Sequence, residues 1–131
     1  MKLSSKTHYG LRACHILAQN YSVGPVSASE LEKGISASGK YLERIMRMLS
    51  ARGIVTATRG VQGGYSLAKP PKEITVGEIV RTLEDDMEII KCVNTDVHCK
   101  CASARVFKKL YNGINEVLDG INLQQMVDGD I

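Results

Sequence analysis

The sequence predicts a mostly α-helical fold with a small β-hairpin wing, namely a winged helix-turn-helix domain followed by a long C-terminal dimerisation helix. Three patterns predict it. Apolar residues recur at helical spacing through the first part of the chain. A glycine-rich turn separates two short β-prone stretches near the middle, and a heptad-like apolar stripe runs through residues 102–126. At 131 residues, the chain suits one compact domain with an appended helix.

Three helices are predicted first. Residues 4–20 form the first, and its apolar stripe contains Leu11, Cys14, Leu17 and Ala18. A capping box opens a short second helix, because Ser27 can accept from the Glu30 amide while the Glu30 carboxylate reaches back. That helix is expected to end near Gly34. A third runs from about 38 to 51, and its core face holds Leu42, Ile45, Met46 and Leu49.

The wing and the later helices follow in order. Strands are predicted at 54–58 and 65–68, around a turn that contains Gly60, Gly63 and Gly64. A second capping box, Thr75 to Glu78, starts a fourth helix. The last helix is expected over roughly 102–126, with a seam formed by Phe107, Leu110, Ile114, Val117 and Ile121. A partner subunit would cover this seam; the alternative is packing within one chain.

Domain boundaries follow from these elements. Residues 1–86 are the predicted winged helix-turn-helix DNA-binding domain, 87–101 a cysteine-containing loop, and 102–131 a dimerisation helix and tail. No stretch approaches the ~20 apolar residues of a membrane span, and the N-terminus lacks the apolar core of a signal peptide. We therefore expect a cytoplasmic protein without a membrane partner.

The charge is distributed unevenly. The net charge of +3 combines +7 over residues 1–70 (ten Lys/Arg, three Asp/Glu) with −4 over 71–131 (seven Lys/Arg, eleven Asp/Glu). A basic half of this kind suits a surface that binds the phosphates of double-stranded DNA. The alternative, a merely solvated surface, ranks lower because the same half carries the helix-turn-helix pattern.

The third helix would lie in the major groove with its early residues at base edges. Glu43 could accept from cytosine N4 there; the alternative is a surface ion pair with Arg47. Arg59, on the turn of the wing, could enter a minor groove or be an ordinary exposed arginine. Arg12 could add a phosphate contact. The predicted DNA-contacting residues are Lys2, Lys6, Lys40, Tyr41, Glu43, Arg44, Arg59 and Gln62.

Three of the four cysteines lie within ten residues: Cys92, Cys99 and Cys101. In a reducing cytoplasm these thiols suit a metal or an iron–sulfur cluster better than structural disulfides. Three thiolates leave one ligand short of four, and the candidates are His8, His98 and Asp96. Zinc ranks lower, because zinc sites usually pair Cys-x2–4-Cys units. Metal-free thiol chemistry is a further alternative, since Lys91 and Lys100 would favour the thiolates.

Several motifs resemble those of the IscR/NsrR family of bacterial winged-helix regulators, over nearly the whole chain. They are residues 1–6 with 9–13, Tyr41-Leu42-Glu43 with Ile45, the wing Arg59-Gly60 with Gly63-Gly64-Tyr65, and residues 74–77. The resemblance implies homodimers, palindromic operators and, in many members, cysteine-ligated iron–sulfur clusters.

The resemblance also bears on single residues. Glu43 and Arg59 match the family's base-reading and minor-groove positions, and Cys92 and Cys101 match its first and third cysteine ligands. Cys99 lies closer to Cys101 than the family's second cysteine usually does. His8 occupies a position that carries a carboxylate ligand, supplied across the dimer, in some relatives. That makes it the preferred fourth ligand, ahead of His98; the alternative is that His8 is a surface histidine near phosphate.

These predictions give a DNA-binding transcription repressor that senses iron–sulfur, redox or nitric oxide status through a cluster, 2Fe-2S first and 4Fe-4S second. The predicted ligands are Cys92, Cys99, Cys101 and His8. The alternatives are a metal-free thiol redox regulator of the same fold and, below it, a cluster carrier or redox protein with no role on DNA. No nucleotide loop, carboxylate pair or Ser/His/Asp arrangement is present, so neither an enzyme nor a small-molecule substrate is expected.

Overall fold

Hydroxyl side chains start the four helices in the first part of the protein. The computed structural model describes residues 2–87 and 102–131. Ser4, Ser27, Ser38 and Thr75 each accept from the backbone amide three residues on, at 3.2–3.3 Å, which satisfies a donor that the first helical turn leaves free. The helices that follow are α1 (Ser5–Gln19), α2 (Ala28–Ile35), α3 (Gly39–Ala51) and α4 (Val76–Leu83).

A β-hairpin separates α3 from α4. Its strands, β1 (Val55–Thr58) and β2 (Gly64–Leu67), pair antiparallel, and a 3-10 turn at Pro71–Glu73 leads into α4. Two helices follow residue 101: α5 (Ala102–Asp119) and α6 (Leu123–Asp128). The predicted mostly helical fold with a two-stranded wing is confirmed. Among the described residues, no helix is both long enough and apolar enough to cross a membrane.

The core lies between α1, α2, α3 and α4. The four residues predicted to face it from α3 (Leu42, Ile45, Met46 and Leu49) are all at most 1% exposed. Cys14, predicted as a small buried residue, is fully buried, and burial raises the pKa of its thiol to about 12. This thiol is therefore protonated and belongs to the packing.

The second helix ends within one residue of its predicted end near Gly34. It includes Gly34 and ends at Ile35, which is fully buried, and Ser36 then adopts a left-handed φ of 58°. Burial of Ile35 outweighs the low helix propensity of the preceding glycine.

The structure divides the predicted helix 102–126 in two. The first helix, α5, ends at Asp119, and Asn122 then caps α6 through a complete capping box with Gln125. Backbone hydrogen bonds from Val76 N to Ile121 O (2.8 Å) and from Leu123 N to Ile74 O (3.0 Å) turn the chain back onto the head. Leu123 becomes fully buried there, and the backbone of Ile121, the last residue of the predicted seam, is bonded to the head within the same chain.

Candidate nucleic-acid interface and cysteine segment

The α3 helix presents a polar face to solvent opposite its buried one. Lys40, Glu43, Arg44 and Arg47 are exposed on it. The helix begins behind the Ser38 cap and carries no acidic residue in its first turn, so its amide dipoles and Lys40 give the start of the helix a positive potential. This is the end of the helix that a winged helix-turn-helix directs at base edges.

The Tyr41 side chain packs on one side against α1 and is exposed to solvent on the other. Its ring meets that of Tyr9 edge to face, with centroids 5.8 Å apart and planes at 90°, and it is half-buried. Such a contact between aromatic rings holds α1 against the start of α3. Tyr41 thus helps to position the reading helix, a role that its spacing did not indicate.

Glu43 is paired in the described structure. Its carboxylate accepts from Arg47 Nη2 at 3.1 Å, one helical turn away, and the two side chains are 63% and 75% exposed. An exposed pair at this spacing stabilises a helix by only ~0.3–0.5 kcal/mol. A base donor could therefore displace Arg47 from Glu43 at little cost, and both interpretations of Glu43 are compatible with this geometry.

A backbone bridge holds the wing against the segment just before α2. Tyr65 N donates to Val26 O at 2.8 Å, and Val26 N donates to Tyr65 O at 2.9 Å. Gly64, with φ of 156°, lies so close to Val26 that a Cβ there would overlap its carbonyl. The bridge positions the hairpin tip, where Arg59 and Gln62 are both exposed.

The basic residues of α1 and of the segment before it have separate roles. Lys2 is exposed and Lys6 is half-buried, so both ammonium groups can reach solvent. Arg12, in contrast, donates to Gly34 O at 2.7 Å and to Ile35 O at 3.4 Å. These are terminal carbonyls of α2, so Arg12 closes the C-terminus of that helix. To bind a phosphate as predicted, the Arg12 guanidinium would have to give up these hydrogen bonds to α2.

The predicted cysteine ligands, and with them Asp96 and His98, fall within residues 88–101, outside the described residues. His8 is described: it lies on α1, its imidazole is exposed, and its ring lies 5.9 Å from that of Tyr9. Within residues 2–87 and 102–131, no three His, Cys, Asp or Glu side chains form a group that could hold a metal ion.

Glu84 anchors the chain shortly before the cysteine segment. Its carboxylate accepts from Ser4 N (2.7 Å), Ser4 Oγ (3.0 Å) and Thr7 Oγ1 (2.5 Å). Burial alone would raise the pKa of Glu84, but the hydrogen bonds from Thr7 and Ser4 outweigh it and hold that pKa below its ordinary value. The anchor holds Glu84 against the turn of α1 that carries His8.

Sequence reasoning did not find Glu84. The available signal was a serine cap and a threonine at the start of α1, together with an unassigned carboxylate directly after α4. Their partnership spans about 80 residues, which no local pattern encodes.

The α5 helix exposes an apolar face. Val106, Leu110 and Val117 are 65%, 50% and 62% exposed. A groove of about 630 Å³ runs along this face, lined by Val106, Lys109, Leu110, Gly113, Ile114, Val117 and Leu118. The lining is almost wholly apolar, and contiguous exposed apolar surface of this kind is typical of a protein–protein contact.

The chain is similar to known transcription regulators along most of its length. The Rrf2 family profile, described as an iron-dependent transcriptional regulator, matches residues 3–129. The solved structure of T. potens IscR is 36% identical, with a TM-score of 0.83 over 100% of this chain and 89% of that one. The structure of CymR, the global cysteine regulator of B. subtilis, is 30% identical, with a TM-score of 0.83 over 98% and 97%.

A curated relative gives the same result. NsrR of Bacillus licheniformis is 33% identical over 97% of this chain and 92% of its own length. The family resemblance predicted from the sequence is therefore confirmed, and these relatives are DNA-binding regulators rather than enzymes.

Proposed function

The chain belongs to the Rrf2 family of transcription regulators, and on that premise we propose that it is a dimeric repressor in the cytoplasm. It binds a palindromic operator and senses iron–sulfur, redox or nitric oxide status through a cysteine-ligated 2Fe-2S cluster. One observation carries the proposal: the cysteine segment joins the end of a DNA-reading head to the start of a helix whose apolar face is exposed.

The head offers two contacts to DNA. The exposed face of α3 supports base reading by Lys40, Glu43 and Arg44 in the major groove, and the bridged wing supports insertion of Arg59 into a minor groove. Lys2 and Lys6 would bind phosphates, and Tyr41 and Gln62 complete the predicted interface. In a twofold dimer, the operator half-sites lie about one helical turn, ~10 base pairs, apart or at a multiple of it.

A second copy of the chain is the proposed occupant of the α5 groove. Leu110, Ile114 and Val117 of the predicted heptad seam line this groove, whereas Phe107 and Ile121 do not. Heptad spacing is the pattern by which two helices interdigitate. The face is continuous over three turns, from Val106 to Val117. Pairing there would place Ala102, the residue that follows each cysteine segment, about one helical turn from the dimer contact.

Cys92, Cys99, Cys101 and His8 are the proposed cluster ligands. Their donor set fits, since three thiolates and one imidazole can complete the four positions of a small cluster. His8 is exposed, and among the described residues its imidazole has no hydrogen bond, so it is free to reach a ligand from its own chain or from a second copy. When bound, such a cluster would supply a centre that oxidants, nitric oxide or iron starvation alter.

Spectroscopy of anaerobically purified protein tests this proposal. Wild type should be coloured and contain iron and sulfide, Cys99→Ala should lose the cluster, and His8→Ala should change its visible spectrum or stability. His15→Ala is the matched control, because His15 lies on the same helix without a ligand-like context. Colourless wild-type protein that cannot be reconstituted with iron and sulfide would contradict the cluster.

DNA binding is tested separately. Affinity for a selected palindrome should fall steeply with salt, as phosphate contacts require, and Arg59→Ala should weaken it. Absence of sequence-specific binding at moderate salt, in both the loaded and the apo protein, would instead favour a cluster carrier without a role on DNA.

A metal-free thiol regulator is the second candidate. The likeness to CymR, the global cysteine regulator, over nearly the full length favours it. In that case iron-free protein should change its operator affinity on mild oxidation, dithiothreitol should reverse the change, and Cys92→Ser should abolish the response. Iron-free protein that binds DNA equally well when oxidised and reduced would exclude it.

A further inference from the structure

A charged clamp joins α4 of the head to the end of α5. Arg81 Nη1 and Nη2 donate to the two carboxylate oxygens of Asp119, each at 2.8 Å, and Nη2 also donates to Asn115 Oδ1 at 2.8 Å. The hydrogen bonds from Arg81 hold the pKa of Asp119 below its ordinary value. A bidentate grip of this kind fixes orientation as well as distance.

The surface of α4 leaves room for this clamp. Gly77 is buried one turn before Arg81, and a Cβ at Gly77 would overlap Asp119 Oδ1 and lie 2.7 Å from Arg81 Nη1. Glycine inside a helix is ~1 kcal/mol less favourable than alanine. Its presence here is explained by the space that the Asp119 carboxylate needs.

The Asp119 end of α5 is held against the head. Next to the clamp, the chain that leaves α5 is bonded to the head by the backbone hydrogen bonds of Ile74 and Val76 described above. The other end begins at Ala102, directly after the cysteine segment, and α5 buries none of its residues along its length. Within residues 2–87 and 102–131, the hydrogen bonds between α5 side chains and the head all lie toward the Asp119 end, where they fix the angle between α5 and the head.

We propose that the clamp of Arg81, Asp119 and Asn115 determines which half-site spacing the dimer accepts. The inference rests on the proposed function, because it takes α5 as the dimer contact. Arg81 is then a positioning residue: it acts through α5 and does not itself contact DNA. One base pair of added spacing moves a half-site by about 3.4 Å and turns it by about 35°. A head that is fixed relative to α5 cannot follow this shift and binds the altered operator more weakly, whereas a head that can move relative to α5 binds both operators.

Operators with altered spacing test the proposal. A palindrome selected from random duplexes by the full-length wild type is remade with one base pair added or removed between its half-sites, and a duplex with a single half-site is the reference. Two variants disturb the clamp differently: Asp119→Asn removes its charge, whereas Gly77→Ala keeps every charge and displaces the carboxylate. Fluorescence anisotropy gives each affinity, and sedimentation gives the dimer dissociation constant.

The matched control is Glu78→Gln. Glu78 is also on α4 and partly exposed, but its ion pair, with Lys69 at 3.7 Å, lies within the head. The Glu78 carboxylate also acts electrostatically on Arg81 but makes no hydrogen bond to it. This control therefore removes one nearby carboxylate charge and leaves the hydrogen bonds of the clamp in place. It should keep the spacing preference of the wild type.

Wild type is expected to prefer its selected spacing at least ~10-fold, about 1.4 kcal/mol, over either neighbour. Both clamp variants should reduce that preference to within ~3-fold while keeping single-half-site affinity and dimerisation, and the double variant should be no worse than either single one. A purely stabilising clamp would instead lower all affinities together and leave the preference unchanged, which would overturn the inference.

The proposed function can fail independently. If the wild type binds no palindrome, both proposals are contradicted. If it binds palindromes of every spacing equally well, only the clamp inference is contradicted. If Gly77→Ala does not fold, as circular dichroism would reveal, Asp119→Asn alone decides the outcome.

Discussion

Val117→Ala should weaken self-association about 30-fold. Val117 is 62% exposed on the apolar face of α5. The substitution removes two methyl groups, each worth ~0.8 kcal/mol when transferred from water to an apolar contact, so about 1 kcal/mol per protomer is available after scaling by exposure. A twofold interface contains the residue twice, and the dimer therefore loses ~2 kcal/mol.

The substitution should leave the protomer intact. Alanine has a higher helix propensity than valine, and α5 buries none of its residues in the single chain. Circular dichroism should therefore show unchanged helicity. Sedimentation velocity over a concentration series, on the apo and the cluster-loaded protein, measures the dissociation constant.

Val23→Ala is the matched control for this experiment. Val23 is 81% exposed, but it lies in the loop between α1 and α2. The chemical change is the same and the surface is different. If Val117→Ala shifts the dissociation constant no more than Val23→Ala does, α5 does not form the dimer contact and the reasoning fails.

Three further outcomes are expected. Glu43→Gln should relax base preference at one operator position, measured by anisotropy against single-base variants, whereas loss of its ion-pair partner in Arg47→Gln should leave that preference unchanged. Glu84→Gln should lower the free energy of unfolding by ~1–2 kcal/mol at neutral pH. Because its folded pKa is depressed, the Glu84 contribution is lost as pH falls through that pKa, so the two proteins should converge in urea melts well below about pH 4. Cys14 should resist alkylation until denaturant is added, as peptide mass spectrometry would show, because its thiol is buried with a pKa of about 12.

Local patterns predicted most of the fold. The hydroxyl caps at Ser27 and Thr75, the buried stripe of α3 and the glycine-rich hairpin each depend on residues within about one or two helical turns. Physical constraints at that range are visible in the sequence. The exposed face of α3 could be predicted for the same reason, because the buried stripe fixes one side of the helix and the polar residues therefore lie on the other.

Long-range partnerships could not be predicted in this way. Arg12 was expected at phosphates, but it closes α2 from 22 residues away. Arg81 and Asp119 are 38 residues apart, and Gly77 was interpreted as part of a capping box and of the family motif at residues 74–77, not as a contact with the last helices. The break in the last predicted helix likewise depends on a buried place for Leu123 on the head, which exists only once the other helices have packed.

The elements on both sides of the cysteine segment are anchored, by Glu84 before it and by the Arg81–Asp119 clamp after it. The start of the segment follows Glu84, which is bonded to the first turn of α1, and its end leads into the Ala102 end of α5, whose other end is clamped. An 18-residue helix is about 27 Å long. A pivot of only about 7° at the clamp would then move the Ala102 end by about 3.4 Å, the rise of one base pair. Because the proposed dimer contact lies on this helix, a small change in the cysteine segment would suffice to shift the reading heads between spacings that fit and spacings that do not.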